Sequence, residues 1–357
     1  MIFIYRMEYC FFYHKTYDMY KLLLLFFIGM NQLLFSQDNF KDQFTVFTAE
    51  SKALGKIEYC TFNSSINKRK PLLIFIHGSG NFPTFHYRND LKQYAWSAFS
   101  ILQKYKDDYH VLFVNKPGIP LFDTIQIDPK TGHFDYPQND EFDRHYSLDW
   151  RALAASMIID RAVKDLLVDR TKIVVMGHSQ GGQVAPKIAK LNQKVTHVVM
   201  LNCNVLNHLY DFILQERLAS FKGEQSFETT QSNIDSLYAD YQKIFDNPTS
   251  FKDSWNNETY LRWASFSTET PLENMLKLKV PILLVAGGRD IWNSFVMNSD
   301  YAKIEFMSRG KNNLTYKVFP NANHFLQNET LDQGKTTTID IKPQVFDYIM
   351  SWISSSK

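Results

Sequence analysis

Three side chains in this sequence could carry out nucleophilic chemistry together: Ser179, Asp290 and His324. Ser179 stands in Gly177-His178-Ser179-Gln180-Gly181-Gly182, after an apolar run and before residues with helical spacing. A serine on a sharp turn between strand and helix has strained backbone angles, and bulky residues two positions to either side would collide. Glycines at 177 and 181 remove that collision. The helix that follows points free N–H groups toward the serine, where a developing oxyanion could use them.

Serine attacks a carbonyl only when a base takes its proton, and that base must be oriented by an acid. Asp290 follows the apolar residues 280–286 and the glycine pair Gly287-Gly288. His324 follows the last strand-like run, in Asn321-Ala322-Asn323-His324-Phe325. The order Ser, Asp, His, with each residue at a strand end, is the order expected of a nucleophile elbow on a parallel sheet. In this reading Ser179 attacks, His324 moves the proton, and Asp290 holds the imidazole tautomer. Two backbone donors must receive the oxyanion. Gln180, next after the nucleophile, supplies one, and Ser79 in His77-Gly78-Ser79-Gly80 supplies the other. His178 is expected to pack beside the elbow rather than act as base, and His77 to support the oxyanion loop.

These residues need a scaffold. Residues 44–47 and 56–62 read as a leading antiparallel pair. Buried strands are expected at 71–77, 109–115, 171–176, 195–201, 280–286 and 314–319. Helical spacing occupies 91–105, 148–167, 183–191 and 339–353, with Pro186 near the start of its helix. A long loop fills 116–146. The alternation implies an α/β fold with a mostly parallel central sheet flanked by helices. Residues 205–269 lack a buried-strand run and read as a helical cap insertion. The core is then 38–204 and 270–357.

The chain has 357 residues, 45% hydrophobic and 21% charged, which suits globular α/β architecture. A net charge of +2 with scattered basic residues gives no nucleic-acid footprint. Cys10, Cys60 and Cys203 show no metal-ligand spacing, so no metal is expected, and Cys60 and Cys203 can bridge only if the fold joins them. Lys21, the apolar run 22–30 and polar Ser36-Gln37-Asp38 describe a secretory signal peptide within residues 1–37. Met19 is the expected start, and the mature chain begins near Gln37 or Asp38. The rival is an uncleaved N-terminal membrane anchor.

On His77-Gly78-Ser79-Gly80, the Ser179 elbow, Gly288-Arg289-Asp290 and Asn323-His324, the chain resembles the α/β-hydrolase fold superfamily, in its serine esterase and acyl-hydrolase type. The resemblance covers 71–353 apart from the insertion. It implies a hydrolase without metal or organic cofactor, working through an acyl-enzyme on a small-molecule acyl substrate. Serine at the nucleophile position points away from aspartate-using dehalogenases and epoxide hydrolases and from cysteine-using dienelactone hydrolases. One departure stands out: Lys116-Pro117-Gly118-Ile119-Pro120 replaces the Gly-x-Gly-type loop of many members.

An exported hydrolase of a carboxylic ester is therefore expected. The alternatives are a serine peptidase or amidase of the prolyl-oligopeptidase-like type, and a non-enzymatic binding protein on the same fold. Tyr238, Tyr241, Phe245, Trp255, Tyr260, Trp263 and Phe266 could line an apolar acyl pocket or form the cap's own core. Asp123, Asp128, Asp135, Asp140, Glu141 and Asp143 in the long loop could grip a substrate amino group or form a solvated face. Trp292 could contact substrate or simply pack.

Overall fold

A run such as Leu72-Leu73-Ile74-Phe75-Ile76 is apolar at every position, so a strand made from it must be covered on both faces. The computed structural model, which describes residues 40–356 except 129, 131–133, 291–294 and 333–334, shows this. Trp292 and the N-terminal segment through residue 37 lie outside the described residues.

In chain order the elements are β1 (Phe44–Ser51), β2 (Gly55–Phe62), β3 (Lys70–Ile76), β4 (Phe85–Arg88), β5 (Gln93–Trp96), β6 (His110–Val114), β7 (Phe122–Ile127) and β8 (Phe134–Asp135). Then come α1 (Asp140–His145), α2 (Leu148–Asp165), β9 (Val168–His178), α3 (Gln180–Leu191), β10 (His197–Leu201), α4 (His208–Phe221) and α5 (Phe227–Asp246). They are followed by β11 (Ser254–Trp255), β12 (Glu258–Thr259), α6 (Tyr260–Thr268), α7 (Pro271–Lys277) and β13 (Ile282–Gly287). The chain closes with α8 (Phe295–Ser308), β14 (Leu314–Phe319), β15 (Gln327–Asp332), β16 (Lys335–Asp340) and α9 (Lys342–Ser355).

The main sheet has eight strands in the order β1-β2-β6-β3-β9-β10-β13-β14. Only β2 runs against the rest, pairing antiparallel with β1 and β6. Leu72, Ile74, Val175 and Met200 face one apolar layer with α2 and α3, whereas Leu73, Phe75, Val174 and Met176 face another with α9. Alternating residues thus fill opposite layers, as the two-residue strand period demands. After β3 the chain steps outward to β6 and returns on the other side as β9. At this reversal the carboxyl ends of β3 and β9 open side by side, the place where such sheets bind ligands.

Residues 91–105 do not form the expected helix. They contain β5 and a short 3-10 turn, Ser100–Tyr105. A small sheet, ordered β5-β4-β7-β8, takes β5 and much of the expected loop 116–146. Cross-strand pairing explains it: Phe85 opposes Trp96 and Phe122, and these rings pack with Phe40, Phe44 and Phe113. Such aromatic pairs outweigh a helical spacing within one segment. Helix α3 also begins three residues earlier than expected, at Gln180, so Pro186 lies inside the helix rather than near its start.

Between β10 and β13, residues 205–269 form α4, α5, α6 and the short hairpin β11–β12. They enclose a core of their own around Tyr241, Ile244 and Trp263. Asn256 and Asn257 make the two-residue hairpin turn with φ of 49° and 62°. Both central residues are left-handed, which asparagine tolerates well. Cys60 and Cys203 are buried free thiols in different layers, so no bridge joins them.

Candidate active site

Ser179 has φ 56° and ψ −128°, a strained backbone between β9 and α3. Its N–H donates to Leu201 O at 2.9 Å, and its carbonyl accepts from Gly182 N at 2.9 Å. The glycines are there for space. A Cβ on Gly177 would lie 2.1 Å from Gly181 O, and one on Gly181 would lie 1.9 Å from Ile76 O. Gly182 is equally constrained, because a Cβ would sit 2.5 Å from Cys203 Cβ. These contacts let the elbow helix press against β3 and β10.

At neighbouring strand ends the other two predicted residues meet. His324 Nδ1 is 2.7 Å from Asp290 Oδ2, and the Asp290 side chain is fully buried. Asn202, after β10, ties these loops together. Its Nδ2 donates to Asn323 O at 3.0 Å and His324 O at 2.8 Å, while its Oδ1 accepts from Gly287 N at 2.7 Å. His178 Nε2 donates to His324 O at 2.9 Å, and its ring lies 4.8 Å from that of His324. Burial, with a smaller electrostatic push from the neighbouring His324, takes His178 down to about 3, so it stays neutral and packs beside the elbow.

The loop after β3 approaches from the other side. Gly78 lies against Ser179: a Cβ there would be 3.3 Å from Ser179 Cβ. Ser79, Ser179, Gln180 and Gln183 form the core side of one cavity of about 230 Å³. Both residues chosen as oxyanion donors therefore border the space in front of Ser179. Two buried cations hold this loop from behind. Lys116 Nζ donates to Ser79 O at 2.9 Å and to Gly80 O. Arg151 Nη2 donates to His77 O at 2.5 Å. Arg151 Nη1 and the Tyr146 hydroxyl both reach Gln180 Oε1, fixing the first residue of α3. Burial pushes Lys116 well below the usual lysine range, and Arg151 adds to the shift. Burial likewise holds His77 neutral, reinforced by Lys116 and Arg151. The sequence departure at Lys116 thus has a structural counterpart.

From the cap, His208, Asn256, Glu258, Arg262 and Trp263 complete the cavity. Sequence reasoning missed four of these. The Asn256-Asn257 pair was a usable hairpin signal, but nothing in the sequence aims Glu258 or Arg262 at Ser179. Of the cap aromatics, Trp263 faces the cavity, Tyr241 and Trp255 fill the cap's core, Phe266 joins the main core, and Tyr238 and Phe245 are exposed. The cavity is lined mainly by polar groups, not by an aromatic acyl pocket. The loop carboxylates turn elsewhere: Asp123 accepts from Tyr136, while Asp140, Glu141 and Asp143 sit in the first turn of α1.

Comparison with known proteins bears on the fold and the family. A family model described as the alpha/beta hydrolase family matches residues 73–333. No curated protein matches the chain. Among solved structures, dipeptidyl peptidase 4 of Porphyromonas gingivalis superposes with a TM-score of 0.49 at 11% identity, covering 88% of this chain and 35% of that one. This chain therefore spans about a third of the peptidase. The alpha/beta hydrolase GrgF from Penicillium sp. sh18 gives 0.52 at 12% identity, covering 88% and 98%. Acylaminoacyl peptidase of Pyrococcus horikoshii gives 0.52 at 13%, covering 89% and 42%. For GrgF and the Pyrococcus horikoshii enzyme, the likeness at these identities is one of fold.

Proposed function

The chain belongs to the alpha/beta hydrolase family, and from that membership we propose that it is a serine hydrolase cleaving a small carboxylic ester, or a related acyl compound, through an acyl-enzyme. Ser179 Oγ attacks the carbonyl while His324 takes its proton. Asp290, 2.7 Å from Nδ1, holds the ring so that Nε2 faces the reaction and stabilises its charged form. The tetrahedral oxyanion is received by the N–H groups of Gln180 and Ser79. His324 returns the proton to the leaving oxygen, and the ester C–O bond breaks. Water then attacks the acyl-serine, with His324 again as base, releasing the acid and restoring Ser179.

The observation that carries this reading is the joint placement of Ser79, Ser179 and Gln180 around one cavity, with the Asp290–His324 pair beside the elbow. The cavity's size, about 230 Å³ under a helical cap, favours a small substrate. A second reading, a peptidase or amidase on the same residues, draws on Glu258, a carboxylate in the cavity that could meet a substrate amino group. Turnover of p-nitrophenyl butyrate and of aminoacyl-p-nitroanilides separates the two. Ester turnover lost in Ser179→Ala supports the first, faster anilide turnover supports the second, and turnover of neither removes both.

Export belongs to the same proposal and rests on Lys21 and the apolar run 22–30. Mass spectrometry of the protein recovered outside the cytoplasm is expected to find a chain starting near Gln37 or Asp38. A cell-bound chain retaining that segment would favour an anchor.

A further inference from the structure

Arg262 is 4% exposed, yet its guanidinium is poorly satisfied. Nε and Nη1 are buried and have no hydrogen-bond partner. The nearest carboxylate oxygen, Glu258 Oε1, stands 3.9 Å from Nε, too far for a hydrogen bond. The guanidinium carbon sits over the Trp263 ring, 4.0 Å from its centroid, a contact that restrains the side chain. Its backbone is fixed too, because Arg262 N donates to the helix cap Thr259 Oγ1 at 3.2 Å. A buried charged donor without acceptors is costly, so one that persists calls for an explanation, such as a catalytic role or a group that completes it. Arg262 lines the same cavity as Ser179.

The surroundings favour an anion there. Lys116 and Arg151 are two further buried cations close enough to act electrostatically on one another, and Arg262 acts on both. Among the described residues, Glu258 is the carboxylate that lines the cavity against them. His208, beside Arg262, is held neutral by burial and by the Arg262 charge, and its buried Nδ1 has no partner. A neutral imidazole can donate to an anion without adding another charge to be screened.

We propose that Arg262 reads a carboxylate carried by the substrate itself, so that the compound cleaved is a half-ester of a dicarboxylic acid, or an ester with an acidic leaving group. The planar guanidinium offers a carboxylate two parallel N–H donors, which a lysine could not. Glu258 Oε1, 3.9 Å from Nε, leaves the guanidinium without a directly hydrogen-bonded carboxylate. This inference rests on the serine-hydrolase reading above and adds the chemical class of its substrate.

The test compares p-nitrophenyl hydrogen glutarate with its neutral methyl ester, and 4-carboxyphenyl butyrate with phenyl butyrate, at low salt. At least one acidic probe is expected to exceed its neutral partner about tenfold or more in kcat/KM, the worth of a charge-assisted pair. In Arg262→Gln that ratio is expected to fall to about one, and in Glu258→Gln to rise. Arg262→Gln could fail to fold, and the wild-type protein then decides the matter. Free glutarate should compete with neutral ester, and glutaramide should compete at least about tenfold more weakly. Ratios at or below one for both acidic probes, or a ratio kept in folded Arg262→Gln, would overturn the inference. Labelling of Ser179 by a fluorophosphonate tests the parent reading separately. If labelling succeeds and no acidic preference appears, only the substrate class falls. If labelling fails, the serine-hydrolase reading falls first.

Discussion

Replacing Lys116 with methionine asks how the loop after β3 is held in front of Ser179. Lys116 is 1% exposed, and its Nζ donates to the carbonyls of Ser79 and Gly80. Methionine has a similar length and no donors. Each Nζ–H···O=C bond contributes about 1–3 kcal/mol, so two give roughly 2–6 kcal/mol. Burying the amino group costs a similar amount, consistent with the downward push on its pKa. The terms largely cancel, and Tm should move by only a few degrees. Catalysis should not be spared. Once released, the carbonyls of Ser79 and Gly80 can rotate, and the N–H groups of Gly80 and Asn81 share their peptide planes. The Ser79 N–H next to them then loses its fixed aim. A lost oxyanion donor costs about 10²–10³ in kcat, and a donor displaced by about 1 Å costs up to about a hundredfold. In steady-state assays with p-nitrophenyl butyrate, kcat is therefore expected to fall about tenfold to a hundredfold with KM changed less than about twofold. Lys116 touches neither substrate nor reacting atoms and acts as a positioning residue, which is why the kcat-against-KM split matters. An unchanged kcat in a folded variant, or a rise in KM alone, would refute the reasoning.

Other perturbations follow from the same packing. Asn202→Asp keeps the side-chain shape but turns a donor to Asn323 O and His324 O into an acceptor. It should cost about 2–4 kcal/mol in urea unfolding and lower kcat by displacing His324. Gly181→Ala places a methyl 1.9 Å from Ile76 O in backbone that cannot give way. A loss of about 3 kcal/mol or more is expected from thermal unfolding, together with loss of activity. Glu269 binds Lys187 and Lys190 at 2.6 Å each. Burial raises its carboxyl, but the lysine hydrogen bonds outweigh that and bring it down to about 2. A depressed carboxyl stabilises above its unfolded pKa of about 4.3, and that stability is lost as pH falls through about 2. Glu269→Gln should thus lower stability at neutral pH by about 1 kcal/mol or less, given partial exposure. The Tm difference from wild type should shrink between about pH 4.3 and pH 2.

What could be read before the structure follows a physical line. Strands such as 71–77 and 171–176 were legible because both faces are buried, so their apolar character is local and continuous. The elbow was legible because steric demands at 177 and 181 act on residue type directly. Asp290 and His324 were found by chain order and lie 2.7 Å apart at the neighbouring strand ends. Residues 91–105 were misread because the helical spacing of Tyr94, Ala95 and Ala98 is overruled by the pairing of β4 with β5 and β7. β5 joins β4 as a short hairpin, and β4 in turn pairs with β7, whose partners lie 37 positions on (Phe85 with Phe122), beyond any local period. Gly182 stood just before the expected helix 183–191 and proved to be a close-approach site within α3. The cap side of the cavity was illegible for another reason. Glu258 and Arg262 face Ser179 only because a two-residue hairpin and α6 fold back over the sheet, and neither spacing nor composition records that placement. Lys116 was visible only as a departure, since its partners are backbone carbonyls.

The central claim is that Ser179 forms a covalent acyl intermediate with help from His324. Incubation with a fluorophosphonate followed by peptide mass spectrometry tests it most directly. Stoichiometric modification of Ser179 in the wild-type protein is expected, strongly slowed in His324→Ala and abolished in Ser179→Ala. A folded wild-type protein that takes no label, or takes it on another residue, would contradict the claim.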